Sequence, residues 1–420
     1  MRDRNGGRGR VSGENRTNMS DQAGRRATSA TSEKAGSVPF YTPRFWHGMR
    51  WGPWCRLLAR NRMRIHPLRW PMVLVISFCA IVNSILAWIQ RAVYGRRIAA
   101  ARVADPPIWV VGHWRSGTTF LHELLCLDPR FTYPTTYECS APDHFLVSSW
   151  GLPWLMGLLL PRRRPMDDVE MGMGRPQEDE LALCVMGAPS FMTRAAFPNE
   201  PSPYDETLDL DRTDPAVRDR WREALGRFVR CVELKRPGKR IVLKSPPHTG
   251  RIAHLADLFP GSQFIHIVRD PRALFRSTVR LWRTLDPIQG LQIPRHDTLD
   301  EFVFASCERM YEGFLRQRTR IDPAALVELT YEDLVRDPIG EVRRIYERLG
   351  WTGFEEVRPR IEAFLAERRE FRPTRYDFPP ELEAELQRRW STYFDCYDHA
   401  ASKRVLAQQS CDCRRPRAWH

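Results

Sequence analysis

The chain has 420 residues, 42% of them hydrophobic, which allows one large domain with extensions and excludes a fibrous or wholly disordered protein. A formal charge of +14 comes almost wholly from arginine, since lysine occurs only at Lys34, Lys235, Lys239, Lys244 and Lys403; this balance fits nucleic acid, an anionic membrane surface or an anionic small molecule alike. Ten cysteines without repeated C-x-x-C pairs, the one close pair being Cys411 and Cys413, argue against a zinc site or a disulfide framework.

Residues 1–40 are rich in Arg, Gly, Ser and Thr with almost no apolar periodicity, which predicts a disordered basic tail, too polar for a signal peptide. Residues 41–104 are expected to form a linker and a hydrophobic, membrane-associated helix around 70–90. The run from Trp70 to Ile89 carries no charge, has tryptophan near both ends and is about the 20 residues that a spanning helix needs. Ser77, Asn83 and Ser84 interrupt its apolar surface, so a buried or interfacial helix is the other reading. Arginines crowd both flanks, with Arg60, Arg62, Arg64 and Arg69 before the run and Arg91, Arg96 and Arg97 after it, and leave its orientation open.

After Asp105 short β-rich apolar runs alternate with helical stretches, a pattern that predicts βαβ units and a parallel sheet flanked by helices, in one α/β domain over 105–400. The expected strands are 108–112, 240–244, 264–268 and 326–330; residues 401–420 are left as a C-terminal tail. The first strand runs into V-V-G-H-W-R-S-G-T-T and an amphipathic helix, the context of a phosphate-cradling loop in which backbone amides and a helix N-terminus face an anion. Where a nucleoside triphosphatase carries lysine this loop has Thr118, and its cation is Arg115. The apolar stretch 145–161 is broken by Gly151, Pro153 and Gly157 and reads as a pocket lid, a membrane-contacting hairpin or ordinary core. Glu178, Asp179 and Glu180 read as the exposed, dipole-favoured start of a helix. The strand FIHIV ends at Arg269, and a helix begins at Pro271 with Ser277 eight residues after the arginine. In 329–350, Y-E-D-L opens a helix and Asp337 is placed to cap the next one ahead of Pro338.

The loop resembles the 5′-phosphosulfate-binding motif of the PAPS-dependent sulfotransferases, in which R/K-S-G-T-T follows the first strand, and the resemblance extends over about residues 105–350. It resembles the bacterial-type sulfotransferase domain, distantly similar to tyrosylprotein sulfotransferases. The resemblance implies a P-loop-like three-layer fold and a sulfuryl transfer from 3′-phosphoadenosine 5′-phosphosulfate (PAPS) to a hydroxyl or amine. It implies 5′-phosphosulfate binding by Arg115, Ser116, Gly117, Thr118 and Thr119. Arg269 and Ser277 match the family's 3′-phosphate site, where a forked donor and a hydroxyl hold the phosphate. Tyr331 is expected near the adenine, and Lys244, with Arg115, at the leaving oxygen. The general base is open among Glu138, placed as related enzymes place a glutamate, His248, and the acidic trio. The cytosolic branch's C-terminal R-x-x-G-x-x-G has no counterpart, which leaves the adenine contacts uncertain.

His113, His122, His144 and His254 lack metal-ligand spacing and read as packing or capping residues, so no metal is expected. The acceptor is expected to be a small molecule, lipid or glycan at a membrane. Arginine bias and the lack of N-x-S/T beyond residue 20 point to the cytoplasmic face of a bacterial inner membrane rather than a glycosylating lumen. The rival readings are a phosphate-loop kinase or other nucleotide binder, and a membrane scaffold with an inactive sulfotransferase fold; the domain lacks the basic, aromatic-interleaved stripe of a nucleic-acid binder.

Overall fold

The computed structural model describes residues 43–158, 172–367 and 378–397. The basic tail 1–40, the C-terminal tail with Cys411 and Cys413, and the last residues of the 145–161 stretch lie outside the described residues. In chain order the elements that matter are helices α1 (Trp51–Arg60) and α2 (Trp70–Ala100), strand β1 (Ile108–Val111), α3 (Thr118–Leu125), β2 (Phe131–Thr132), α4 (Asp179–Met186) and α5 (Pro215–Lys235). They continue with β3 (Arg240–Lys244), β4 (Gln263–Val268), α6 (Pro271–Gln289), α7 (Leu299–Gln317), β5 (Leu326–Thr330), α8 (Tyr331–Arg336) and α9 (Pro338–Arg348).

The five strands form one parallel sheet in the order β2-β3-β1-β4-β5. The strands expected from the sequence are β1, β3, β4 and β5; the two-residue β2 is too short to leave a pattern. Side chains alternate between the sheet's faces, so Ile108, Val110, Val242, Ile265 and Ile267 pack with α3 and α9 on one side. Trp109, Val111, Ile241, Leu243 and Phe264 face the opposite core with α5, α6 and α7. Burial on both faces is why these strands read as unbroken apolar runs rather than as alternation. The chain returns from β3 to β4 across the central β1, and at such a switch the loops after the strands open a crevice in which open α/β sheets bind ligands.

Register then decides what meets there. Val110 pairs with Lys244, Val111 with His266 and Val268 with Thr330. The residues leaving β1, β3, β4 and β5 therefore emerge side by side: Gly112, Lys244, Arg269 and Tyr331. Asp270 caps α6 by accepting from the amides of Arg272 and Ala273, and Asp337 caps α9 by accepting from Gly340 N at 2.9 Å.

α2 is a 31-residue helix, roughly 46 Å long, and is long and apolar enough to cross a membrane. One of its sides is packed against the body: Val73, Ile76 and Ala80 join the hydrophobic core with Trp46 and Trp54 from the segment expected to be a linker. The polar residues that interrupt the run serve this docking. Ser77 Oγ accepts from Trp54 Nε1 at 2.9 Å, Ser84 Oγ accepts from Trp51 N at 2.9 Å, and Asn83 Nδ2 donates to His47 O at 2.7 Å.

Candidate active site

The loop between β1 and α3 turns on three residues in the left-handed region: Gly112 (φ +145°), Arg115 (φ +69°) and Gly117 (φ +100°). Neither glycine has room for a side chain, because a Cβ would stand 2.4 Å from Ile267 O at Gly112 and 2.4 Å from the Tyr331 ring at Gly117. Arg115 holds that conformation at a cost of order 1–3 kcal/mol, a strain of the kind that collects at ligand sites. Its surroundings fix it: Arg115 Nε donates to Ser277 Oγ at 2.9 Å, and Arg269 Nη1 donates to Arg115 O at 2.8 Å. The Arg269 guanidinium also lies over the Tyr331 ring, 4.4 Å from its centroid. Thus the loop arginine, the R-x7-S pair and Tyr331 form one cluster although 216 positions separate its ends, from Arg115 to Tyr331.

Two supports had no sequence signal that singled them out. Thr249 Oγ1 accepts from Gly112 N at 2.8 Å, and Tyr393 Oη brackets the Arg269 backbone, accepting from its N and donating to its O. Thr249 lies in the K-S-P-P-H-T-G run already notable for Lys244. Tyr393 sits in a short helix, Ser391–Cys396, with no motif at all. The cluster fits a bound anion: Ser116 Oγ is buried with no hydrogen-bond partner among the described residues, and α3 starts at the loop without a side-chain cap.

Lys244, almost wholly buried, reaches the same edge. Its Nζ donates to Glu178 Oε1 at 2.6 Å and lies 3.4 Å from Thr119 Oγ1. Burial and the nearby Lys244 push the His122 imidazole down to about 3, and burial pushes His113 down to about 4, so both rings are neutral and the cations here are Lys244 and the arginines. Glu178 leads into α4 and keeps 22% of its side chain in solvent.

The rest of the acidic trio departs from its expected exposed position: Asp179 and Glu180 are fully buried. Asp179 Oδ2 meets His248 Nε2 at 2.6 Å and its Oδ1 accepts from Ser245 Oγ, while Glu180 pairs with Arg251 at 2.6 Å and Ser190. Burial alone would raise the Asp179 carboxyl, but His248 and these hydrogen bonds hold it below its usual range. The segment after β3 supplies a partner to each carboxylate, which the local helix-start pattern could not show. His248 is enclosed too, wedged edge-on between Trp109 and Trp221 at ring distances of 5.2 and 5.9 Å.

Glu138 is fully buried. It closes the capping box of a short helix, Thr136–Ser140, and both its oxygens are held by Arg236, at 2.6 and 2.7 Å, with Lys235 at 3.0 Å. Burial opposes ionisation, yet Arg236 and Lys235 keep the Glu138 carboxyl below the usual range. None of these partners belongs to the loop. A carboxylate committed in this way is poorly placed to take a proton, so the geometry favours Glu178, the one trio member left beside Lys244 and open to solvent.

The Sulfotransferase family model matches residues 106–356, the span that contains the loop, Lys244, Arg269, Ser277 and Tyr331. The chain belongs to the sulfotransferase family. Among relatives, the omega-hydroxy-beta-dihydromenaquinone-9 sulfotransferase Stf3 of Mycobacterium bovis is 42% identical over 354 residues, 84% of this chain and 91% of the relative. The Mycobacterium tuberculosis protein of that name matches with the same identity and coverage. The fold is similar to that of the Mycobacterium avium sulfotransferase STF9, with a TM-score of 0.66 at 21% identity over 82% of this chain and 91% of that one. The Mycobacterium tuberculosis sulfotransferase STF1 gives 0.58 at 18% identity over 89% and 98%. As a sulfotransferase, the protein needs an anion cradle and a group able to accept a proton; the β1–α3 loop, Lys244 and Glu178 are neighbours at one sheet edge. Among the described residues no group of His, Cys, Asp and Glu is placed to hold a metal ion.

Proposed function

We propose that this sulfotransferase moves a sulfuryl group from PAPS to a hydroxyl at the end of a membrane-borne lipid, of the omega-hydroxy menaquinone kind on which its 42% identical relative acts. The observation that carries the donor reading is the Arg115–Ser277–Arg269–Tyr331 cluster around a loop whose glycines leave no room for side chains. Residues 115–119 would hold the 5′-phosphosulfate, Arg269 and Ser277 the 3′-phosphate, and Tyr331 would lie by the adenine.

Sulfuryl transfer, like phosphoryl transfer, asks mainly for alignment and charge stabilisation. Glu178 takes the acceptor's hydroxyl proton as the acceptor oxygen bonds to sulfur. The bond from sulfur to the bridging oxygen breaks, and the electron pair leaves with the adenosine bisphosphate, its new charge met by Lys244 and Arg115. The Lys244–Glu178 ion pair, at 2.6 Å, holds the carboxylate beside the loop. We place the catalytic domain on the cytoplasmic face of the membrane. In support, all eight cysteines of the described residues are free, as suits a reducing compartment.

Calorimetry with 3′-phosphoadenosine 5′-phosphate and with ATP-magnesium tests the donor site on detergent-solubilised full-length protein. Tight bisphosphate binding that falls by about one to two orders of magnitude in Arg269→Ala, with ATP far weaker, is expected, since a charge-assisted contact is worth about 1.5–3 kcal/mol. Preference for ATP-magnesium would overturn the assignment in favour of a nucleotide kinase.

A further inference from the structure

Among the described residues, a large apolar surface is left uncovered. While one side of α2 is packed into the body, Leu74, Phe78, Ile81, Ile85 and Trp88 follow at alternating spacings of four and three on a stripe that is 48–70% exposed. The uncharged polar groups Ser77, Asn83, Ser84 and Gln90 of the helix are spent on the protein side. Beyond Ser77, Asn83 and Ser84, Gln90 Oε1 accepts from Leu146 N at 2.8 Å. The outer stripe therefore carries no polar interruption and no charge.

We propose that α2 lies in the plane of an anionic phospholipid bilayer, its outer stripe sunk into one leaflet and the catalytic body resting on that leaflet, rather than crossing the membrane. This extends the reading of a lipid-borne acceptor by giving the way in which enzyme and lipid meet.

Packing along the helix excludes a free span. Contacts with the body run from Val73 to Ile98, nearly its whole length, and α5 lies against it. A crossing helix would draw into hydrocarbon the Asn83–His144 hydrogen bond at its middle and the adjoining Asp143, which is ion-paired to Arg50 and Arg227. In-plane insertion leaves all of these on the protein side.

Charge selects the occupant. Between positions 43 and 104 there are eleven arginines and no aspartate or glutamate. Exposed members such as Arg56, Arg91 and Arg96 suit anionic headgroups, whereas a second copy of this chain would bring the same positive field against it. The segment that docks on Gln90 continues to Trp150 and Trp154, 92% and 73% exposed, a residue type that favours the membrane interface.

Flotation of full-length protein with vesicles of phosphatidylcholine, alone or with phosphatidylglycerol, tests the surface. The chain is expected to float with the anionic vesicles, at least about tenfold more than Phe78→Glu/Ile85→Glu, while both proteins bind the adenosine bisphosphate equally. That binding separates loss of the membrane surface from failure of the donor site. A fluorescent amino acid at Leu74, Val82 or Val93 reports depth through nitroxide lipids. In-plane insertion predicts stronger quenching by shallow than by deep nitroxides at all three positions. Preferential deep quenching at Val82 would establish a span and overturn the proposal. So would equal flotation of the variant, or a soluble dimer that the variant dissociates.

Discussion

We infer that Glu178 is the working carboxylate and Glu138 a structural one, and the inference rests on their partners. Glu178 touches Lys244 and remains partly open, while Glu138 is closed in by Arg236, Lys235 and Thr135. Glu178→Gln should lower kcat by roughly 10²–10⁴, the usual worth of general base catalysis, with bisphosphate affinity retained. Glu138→Gln should act the other way round, leaving Arg236 without its charge partner and costing on the order of 3 kcal/mol of stability. Because the folded-state Glu138 carboxyl titrates below its unfolded value, it stabilises fully above about pH 4.3 and loses this as pH falls through the folded value. Acid denaturation followed by circular dichroism should therefore show a shallower acid limb in Glu138→Gln. A kcat loss in Glu138→Gln with stability intact would return the base to that residue.

The parallel strands were readable because burial on both faces makes them continuous apolar runs, and the loop was readable because Gly112 and Gly117 occupy positions only glycine tolerates. Less could be read where partners come from far along the chain. Arg236 meets Glu138 across 98 residues and Arg251 meets Glu180 across 71, so the local pattern could not show the partners of Glu138 and gave Glu180 an exposed helix start. α2 shows the same limit: its apolar content is visible in the sequence, but which side Ser77 and Asn83 face is set by α1 and the turn before it. The loop itself offers a test. Gly117→Ala adds a methyl in a left-handed position against the Tyr331 ring, and bisphosphate affinity should fall at least about tenfold. Gly117→Ala/Tyr331→Ala should regain only part of it, since the backbone strain remains and the Tyr331 ring by the adenine is lost. Full recovery would mean that the clash alone, and not the loop's conformation, sets the affinity.

At the scale of the whole molecule, the anion cradle on the sheet edge and the apolar helix face belong to one body, since α2 shares its hydrophobic core with the segments that carry the loop and Lys244. Such a body suits a soluble donor and an acceptor confined to a bilayer. Transfer of radiolabelled sulfuryl from PAPS is the direct test, with a menaquinone bearing a terminal hydroxyl and its hydroxyl-free counterpart presented in phosphatidylglycerol-containing vesicles. Label should appear on the hydroxylated lipid alone and vanish with Glu178→Gln. Absence of label on that lipid, with the bisphosphate still bound, would contradict the proposed acceptor.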